Sequence, residues 1–265
     1  MTFDFITWNV DPEIFSIGKL AVRWYGLLFA SAFFFGYIIL SRICKKEGET
    51  TELLDRLTIY MAVGTVIGAR LGHCFFYEPE YFLKHPVEIL KIWHGGLSSH
   101  GAAITILIAL YLFARKSHKT FFWVLDRIVI VTALGGLFIR TGNLMNSEIY
   151  GVETSIPWGF IFVRNGEMVP KHPTQIYEAL SYFLIFLILL YLFQKKNFKA
   201  KEGVTFSLFL IILFTVRFFI EFIKEDQVPF EQTLPLNLGQ LLSLPFIATG
   251  FILLWLVLKK KPLRI

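Results

Sequence analysis

The sequence predicts an all-α integral membrane protein of about seven transmembrane helices, with a small outer-face cap between helices four and five. Composition is the first reason. A mean hydropathy of +0.60, with 55% hydrophobic and only 17% charged residues, does not suit a water-exposed surface of ordinary size. The second is spacing, because the apolar residues gather in runs of about 20, the length a helix needs to cross roughly 30 Å of hydrocarbon. The 265 residues therefore read as one polytopic domain, 1–265, with the cap at 141–173.

In chain order the predicted spans are Leu20 to Leu40, Leu57 to Tyr77, Leu97 to Ala114, Phe121 to Ile139, Gln175 to Phe193, Val204 to Ile223 and Leu238 to Leu258. Ahead of the first, Asp4, Asp11 and Glu13 stand where a removable signal peptide would carry basic residues, so the first helix is expected to be retained. The longest connection, Thr141 to Pro173, holds Pro157, Trp158, Gly159 and an Asn165-Gly166 turn signal and reads as a folded cap. Cys44 and Cys74 fall near opposite ends of their helices, so no disulfide is expected. Seven spans do not divide into two equal halves, which weighs against an inverted-repeat transporter.

The net charge of +6 is topogenic and gives no reason to invoke nucleic acid, because most of the basic residues lie in short loops between apolar runs. One side collects Arg42, Lys45, Lys46, Arg56, Arg115, Lys116, Lys119, Lys195, Lys196, Lys199, Lys201, Lys259, Lys260, Lys261 and Arg264. The other has Lys19, Lys84, Lys91, Arg164 and Lys171. Fifteen against five puts the N-terminus outside and the C-terminus in the cytoplasm.

A charge inside a span costs at least about 2.5 kcal/mol, so each one calls for a reason. Arg23, Arg70, His73, His100, Arg140, Glu178, Arg217 and Glu221 all project toward the outer half or rim of the predicted bundle. Asp55, Arg56, Asp126 and Arg127 lie at cytoplasmic ends, where snorkelling accounts for them. Snorkelling to lipid phosphate is equally open for Arg23 and Arg70. Arg217 and Glu221, four residues apart on one face, form either a functional pair or a structural ion pair. His100 follows a glycine-bearing stretch that permits an irregular helix start, and taken alone is a structural histidine as readily as a functional one. Arg140 to Glu148 combines a cation with several hydrogen-bonding side chains just past a predicted helix end, where a capped polar turn is the plainer alternative.

The six histidines form no His-Glu-x-x-His arrangement and have no cysteine at ligand spacing, so no metal is expected; nor is there a Gly-x-Ser-x-Gly elbow or a Walker loop. Arginine forks at membrane depth suit a phosphate attached to lipid tails.

At this point the chain resembles the bacterial phosphatidylglycerol:prolipoprotein diacylglyceryl transferases. The resemblance runs from Arg23-Trp24-Tyr25-Gly26 through Ala69-Arg70-Leu71-Gly72, Gly95 to Gly101, Arg140 to Gly151, Pro157-Trp158-Gly159, His172 to Glu178 and Arg217 to Phe222, ending in Gly239 to Pro245. It implies an enzyme of the bacterial cytoplasmic (inner) membrane, its cap on the periplasmic side. Such an enzyme moves the diacylglyceryl group of phosphatidylglycerol onto the lipobox cysteine thiol of secreted prolipoprotein precursors, as the first step of their maturation. A thioether forms, glycerol 1-phosphate leaves, and no metal or organic cofactor is implied. The implied catalytic residues are His100 as base, Tyr25 as its hydrogen-bonding partner, and Arg217. Arg140, Asn143, Glu148, Gly151 and Glu221 are the implied substrate-binding residues. Ser147 stands where glycine is common in the family, Lys224 where arginine is common, Ala102 where a second glycine is usual, and Leu213 where some members have tyrosine. The competing readings are a carrier that binds anionic lipid without chemistry and a membrane scaffold.

Overall fold

A computed structural model of the chain describes residues 5–18, 20–92, 95–96, 98–195, 201–225 and 235–259. Asp4, Lys19, Leu97, Lys196, Lys199, Lys260, Lys261 and Arg264, all named in the sequence reading, lie outside the described residues, as does His94 among the six histidines. The chain forms two compact units, one from Met1–Ile39 with Asp126–Ile265 and the other from Leu40–Leu125.

The elements in order are β1 (Ile6–Trp8), β2 (Glu13–Ile17), β3 (Leu20–Arg23), α1 (Trp24–Lys46), α2 (Thr51–Phe76), α3 (Pro79–Lys84), α4 (Ser99–Lys116), α5 (Phe121–Met145), β4 (Phe160–Phe162), α6 (Thr174–Phe193), α7 (Val204–Ile220) and α8 (Leu238–Lys259). Among the described residues, six helices are long and apolar enough to cross a membrane, the fifth being α7 with the 3-10 turn that extends it to Ile223. Of the predicted spans, α4 alone is not among the six. It has 18 residues, and Ser99, His100 and Gly101 open it while Arg115 and Lys116 close it, which shortens its apolar stretch.

The fold is mostly helical, as expected of an all-α membrane protein, with a few short strands beside the helices. Leu20–Arg23, predicted as the start of the first span, instead pairs antiparallel with Glu13–Ile17, and the helix begins at Trp24. Ile6–Trp8 pairs in parallel with Phe160–Phe162. Trp8 anchors that pairing, its indole N–H donating to the Leu144 carbonyl at 3.0 Å and its ring lying 5.4 Å from that of Phe160.

A second correction concerns α5, which runs to Met145 and so carries Arg140 to Asn143 on its last turns rather than in a loop. The helix ends in a Schellman arrangement: Ser147 N–H donates to Leu144 O at 2.9 Å, and Glu148 N–H to Asn143 O at 3.0 Å. That closure needs a left-handed residue, and Ser147 supplies it at φ 55. The connection expected to form the cap therefore runs from Asn146 to Pro173.

A third correction removes the snorkelling account of Asp126 and Arg127, both buried. Asp126 accepts from the backbone N–H groups of Gly203 at 2.7 Å and Phe206 at 2.8 Å, so α5 caps α7 from the side. The Arg127 guanidinium lies 5.3 Å from the Phe193 ring centroid.

In the second unit, α2 and α4 pack along small residues. A Cβ on Gly64 would stand 2.9 Å from Ala109 Cβ, one on Gly68 would stand 1.5 Å from Thr105 Oγ1, and one on Gly72 would stand 2.6 Å from Gly101 Cα. Glycine every four residues lets the two backbones close up, the usual basis of helix association where hydrocarbon surrounds both. Thr105 uses that proximity, its hydroxyl lying 2.8 Å from Gly64 O on the facing helix.

Candidate active site

Glu178 is the centre of a buried ion network in the first unit. It lies just after the first turn of α6 with no exposed side-chain surface. Arg140 Nε, from the end of α5, stands 2.9 Å from its Oε2, and Lys224 Nζ stands 3.1 Å from its Oε1. Lys224 also reaches Glu221 Oε1 at 3.0 Å, and Arg217 Nη2 reaches the same oxygen at 3.3 Å. Arg140, Glu178, Lys224, Glu221 and Arg217 thus form one chain of alternating charge.

A side branch joins Arg140 to the cap. Arg140 Nη1 donates to Asn143 Oδ1 at 3.2 Å, and Asn143 Nδ2 donates to Glu148 Oε1 at 2.7 Å. Asn146 Nδ2 donates to the same carboxylate oxygen at 3.2 Å. Glu148 is held on a tight turn, with Ser147 and Ile149 both at positive φ, and the turn is pinned by Gln175 Nε2 on Glu148 O (2.8 Å) and Thr174 Oγ1 on Ile149 O (2.9 Å). Tyr25 belongs to the same cluster: its ring rests against Gly142, and it lies within electrostatic range of Glu148 and Arg140.

The network's charges balance, with three cations (Arg140, Lys224, Arg217) against three carboxylates once Glu148 is included. Exposure separates its members. The side chains of Lys224 and Arg140 are 3% and 12% exposed, whereas Arg217 is 32% exposed. Arg217 therefore reaches the surface, one edge of its guanidinium held by Glu221.

The backbone after α7 ties the network to the cap. Gly151 and Lys224 form an antiparallel bridge, and Val152 N–H donates to Ile223 O at 3.0 Å. Gly151 is needed for that approach, since a Cβ there would fall 2.2 Å from Ile223 O. Lys171 Nζ, in the cap, lies 2.6 Å from Glu225 Oε1. Burial alone would lower its pKa, but Glu225, Glu167 and Glu153 outweigh burial and raise it. Beside it, burial holds His172 below the usual histidine range.

Tyr25, Arg140, Asn143, Glu148, Gly151, Arg217 and Glu221 are thus brought together in the first unit. His100 belongs to the second unit, on the first turn of α4 with an exposed ring. Ser98 fixes that helix start by accepting from Gly101 N–H at 3.3 Å and by donating its own N–H to Ala69 O at 2.8 Å. Arg70 lines a cavity with His73, Glu78 and Tyr81 and is held there by backbone carbonyls. It is 4% exposed, and its guanidinium donates to the carbonyls of Ile89 (3.0 Å), Glu88 (2.6 Å), Gly95 and Gly96, fastening the α3 connection to α2.

Sequence reasoning left Glu178 and Lys224 out of the site, although both were visible. Glu178 was one helix-start charge among several, and Lys224 registered only as a departure from arginine. Their shared role depends on α6 and α7 being side by side, which no spacing along the chain reveals.

A family model described as prolipoprotein diacylglyceryl transferase matches residues 12–256. The phosphatidylglycerol–prolipoprotein diacylglyceryl transferase of Tolumonas auensis is 49% identical over 255 residues, covering 96% of this chain and 98% of that protein. The protein of the same name from Chloroherpeton thalassium is 43% identical over 264 residues, covering 99% and 98%. That from Bacteroides fragilis is 40% identical over 271 residues, covering 98% of each.

Proposed function

The chain belongs to the prolipoprotein diacylglyceryl transferase family, and we propose that it moves the diacylglyceryl group of phosphatidylglycerol onto a prolipoprotein cysteine at the exposed edge of Arg217. It is a transferase of lipoprotein biosynthesis. Six apolar helices make it a multi-pass membrane protein. With its 18 residues spanning roughly 27 Å, α4 serves as the seventh crossing. The protein resides in the bacterial inner membrane with its N-terminus outside, its C-terminus in the cytoplasm and the cap on the periplasmic face, following the distribution of basic residues.

In the reaction, the lipobox thiol loses its proton and its sulfur attacks the glyceryl carbon bonded to the phosphate oxygen. That carbon–oxygen bond breaks, the diacylglyceryl group becomes a thioether, and glycerol 1-phosphate departs with the electron pair. A free thiol has a pKa of about 8.5, so a base raises the reactive fraction, and His100, exposed at its helix start, takes the proton. Arg217 meets the charge that develops on the departing phosphate, where a fixed donor in a water-poor site stabilises it most. Arg140, Asn143 and Glu148 form the floor under the head group, Tyr25 lines it, and Gly151 sets the spacing between cap and floor. Glu221 orients Arg217.

The observation that carries this reading is a guanidinium anchored on one edge by a buried carboxylate and partly exposed. Transfer of labelled diacylglycerol from phosphatidylglycerol to a lipobox peptide in detergent tests it. Purified wild type should act on the cysteine peptide and not on a Cys→Ser peptide, and Arg217→Ala should lower transfer by about two orders of magnitude while leaving a measurable residue. A folded wild type that bound the lipid without transferring it would instead be a carrier.

A further inference from the structure

The start of α8 touches Glu221 in two independent ways. Asn237 caps this helix through a reciprocal exchange with Gln240: Gln240 N–H donates to Asn237 Oδ1 at 2.9 Å, and Asn237 N–H donates to Gln240 Oε1 at 3.1 Å. The cap uses only the carbonyl end of the Asn237 amide. Its Nδ2 points the other way and donates to Glu221 O at 2.9 Å, with Glu221 Oε2 at 3.5 Å. Two residues on, Gly239 lies directly against the carboxylate. A Cβ there would stand 2.3 Å from Glu221 Cδ and 2.4 Å from Oε1, so only glycine leaves room for it.

From these contacts we infer that Asn237 and Gly239 are positioning residues for the transfer reaction, seating the Glu221 carboxylate and through it aiming the Arg217 guanidinium. Neither is expected to touch substrate. Glu221 is 6% exposed and shares one oxygen between Arg217 and Lys224, so a displaced carboxylate releases Arg217 from its fixed direction. The inference rests on the role given to Arg217 above.

Asn237→Asp separates positioning from capping. Aspartate caps a helix as well as asparagine does, but it sets an acceptor where Glu221 needs a donor. The purified full-length enzyme would be assayed as wild type, Asn237→Asp, Gly239→Ala, Arg217→Ala and Asn237→Asp/Arg217→Ala. The rate at which phenylglyoxal modifies Arg217 would be followed by mass spectrometry in every variant that retains it. Both single α8 variants should lose about tenfold or more in kcat with KM for phosphatidylglycerol changed by less than about threefold. Asn237→Asp should keep the wild-type melting temperature, label Arg217 several times faster, and cost nothing further once Arg217 is alanine. Wild-type kcat in Asn237→Asp, unchanged Arg217 labelling, or a full additional loss in the Arg217→Ala background would each overturn the inference. If Arg217→Ala kept wild-type kcat, the catalytic reading of Arg217 would fall, while faster labelling in Asn237→Asp would still uphold positioning.

Discussion

Arg140 Nε and Glu178 Oε2 meet 2.9 Å apart, joining the last turns of one apolar helix to the start of the next around a carboxylate with no exposed surface. Glu178 faces Lys224 as well, so its removal takes the carboxylate partner from Arg140 and leaves Lys224 with Glu221 alone. Breaking a buried pair from one side costs about 3–5 kcal/mol, because the remaining charge has neither partner nor water. Glu178→Ala should therefore lower thermal stability in detergent by about that amount, far more than Arg217→Ala, which removes a partly exposed cation. Equal melting temperatures for the two variants would mean that Glu178 does not organise the network.

Lys224 presents the same argument from the cationic side. Its ammonium lies between Glu178 and Glu221 at 3.1 and 3.0 Å. Lys224→Met leaves two carboxylates facing each other and should cut transfer by about two orders of magnitude through loss of site geometry. Lys224→Arg, which installs the residue common in the family, keeps the charge and adds a fork able to span both carboxylates. It should retain most of the activity, so parallel measurements on the two variants check whether charge is what the position requires.

The helices were legible because each is written continuously in the chain: Gln175 to Phe193 was expected and Thr174–Phe193 is observed, and Leu238 to Leu258 against Leu238–Lys259. What escaped depends on distant partners. Ile6–Trp8 is too short to read as a strand, and its mate, Phe160–Phe162, lies far along the chain. The end of α5 was placed early because Arg140 and Asn143 look like loop residues until their side chains are seen to bond to each other and to the neighbouring helix and cap. Of the site, the residue types were legible and the connecting members were not.

The spacing of Gly64, Gly68 and Gly72 is visible in the sequence, but its meaning emerges only with α4 opposite. At Gly68 a Cβ would lie 1.5 Å from Thr105 Oγ1 and 2.6 Å from Gly101 O, so the helices must separate to admit any side chain. Gly68→Leu should prevent accumulation of folded protein in the membrane. Thr105→Val, which keeps the shape and removes the hydroxyl bonded to Gly64 O, should cost only about 1 kcal/mol, the scale of such interhelical bonds. Expression and melting temperature of the two variants test that ordering.

Adjacent residues in the cap give it opposite responses to pH. His172 has its pKa lowered by burial from 6.5, so as pH falls below that value the unfolded chain binds a proton that the folded cap resists, and stability drops. Tyr177 Oη, 3.4 Å from His172 Nδ1, is the titratable group facing it. Lys171 has its pKa raised above 10.5 by three glutamates, and its contribution is present below that value and lost as pH climbs through the folded one. Melting curves from pH 5 to 8 should fall on the acid side in the wild type and flatten in His172→Gln. An acid limb of unchanged slope in the variant would assign it to another group.

Ser147 carries two penalties at once. It sits at φ 55, a left-handed conformation that costs an L-residue about 1–2 kcal/mol, and its buried hydroxyl has no hydrogen-bond partner among the described residues. Glycine removes both, the torsional strain because it has no Cβ and the unpaired group because it has no hydroxyl. Against this stands the extra backbone freedom of glycine in the unfolded chain, worth about 0.5–1 kcal/mol. The balance favours Ser147→Gly, which should raise the melting temperature by a few degrees, an increment of about 1 kcal/mol. Ser147→Ala relieves only the unpaired hydroxyl and should fall between the two. Because Glu148 follows directly and its N–H completes the helix cap with Asn143 at 3.0 Å, the glycine variant should also transfer at the wild-type rate. Loss of activity despite higher stability would mean that the strained turn itself sets the direction of the Glu148 carboxylate.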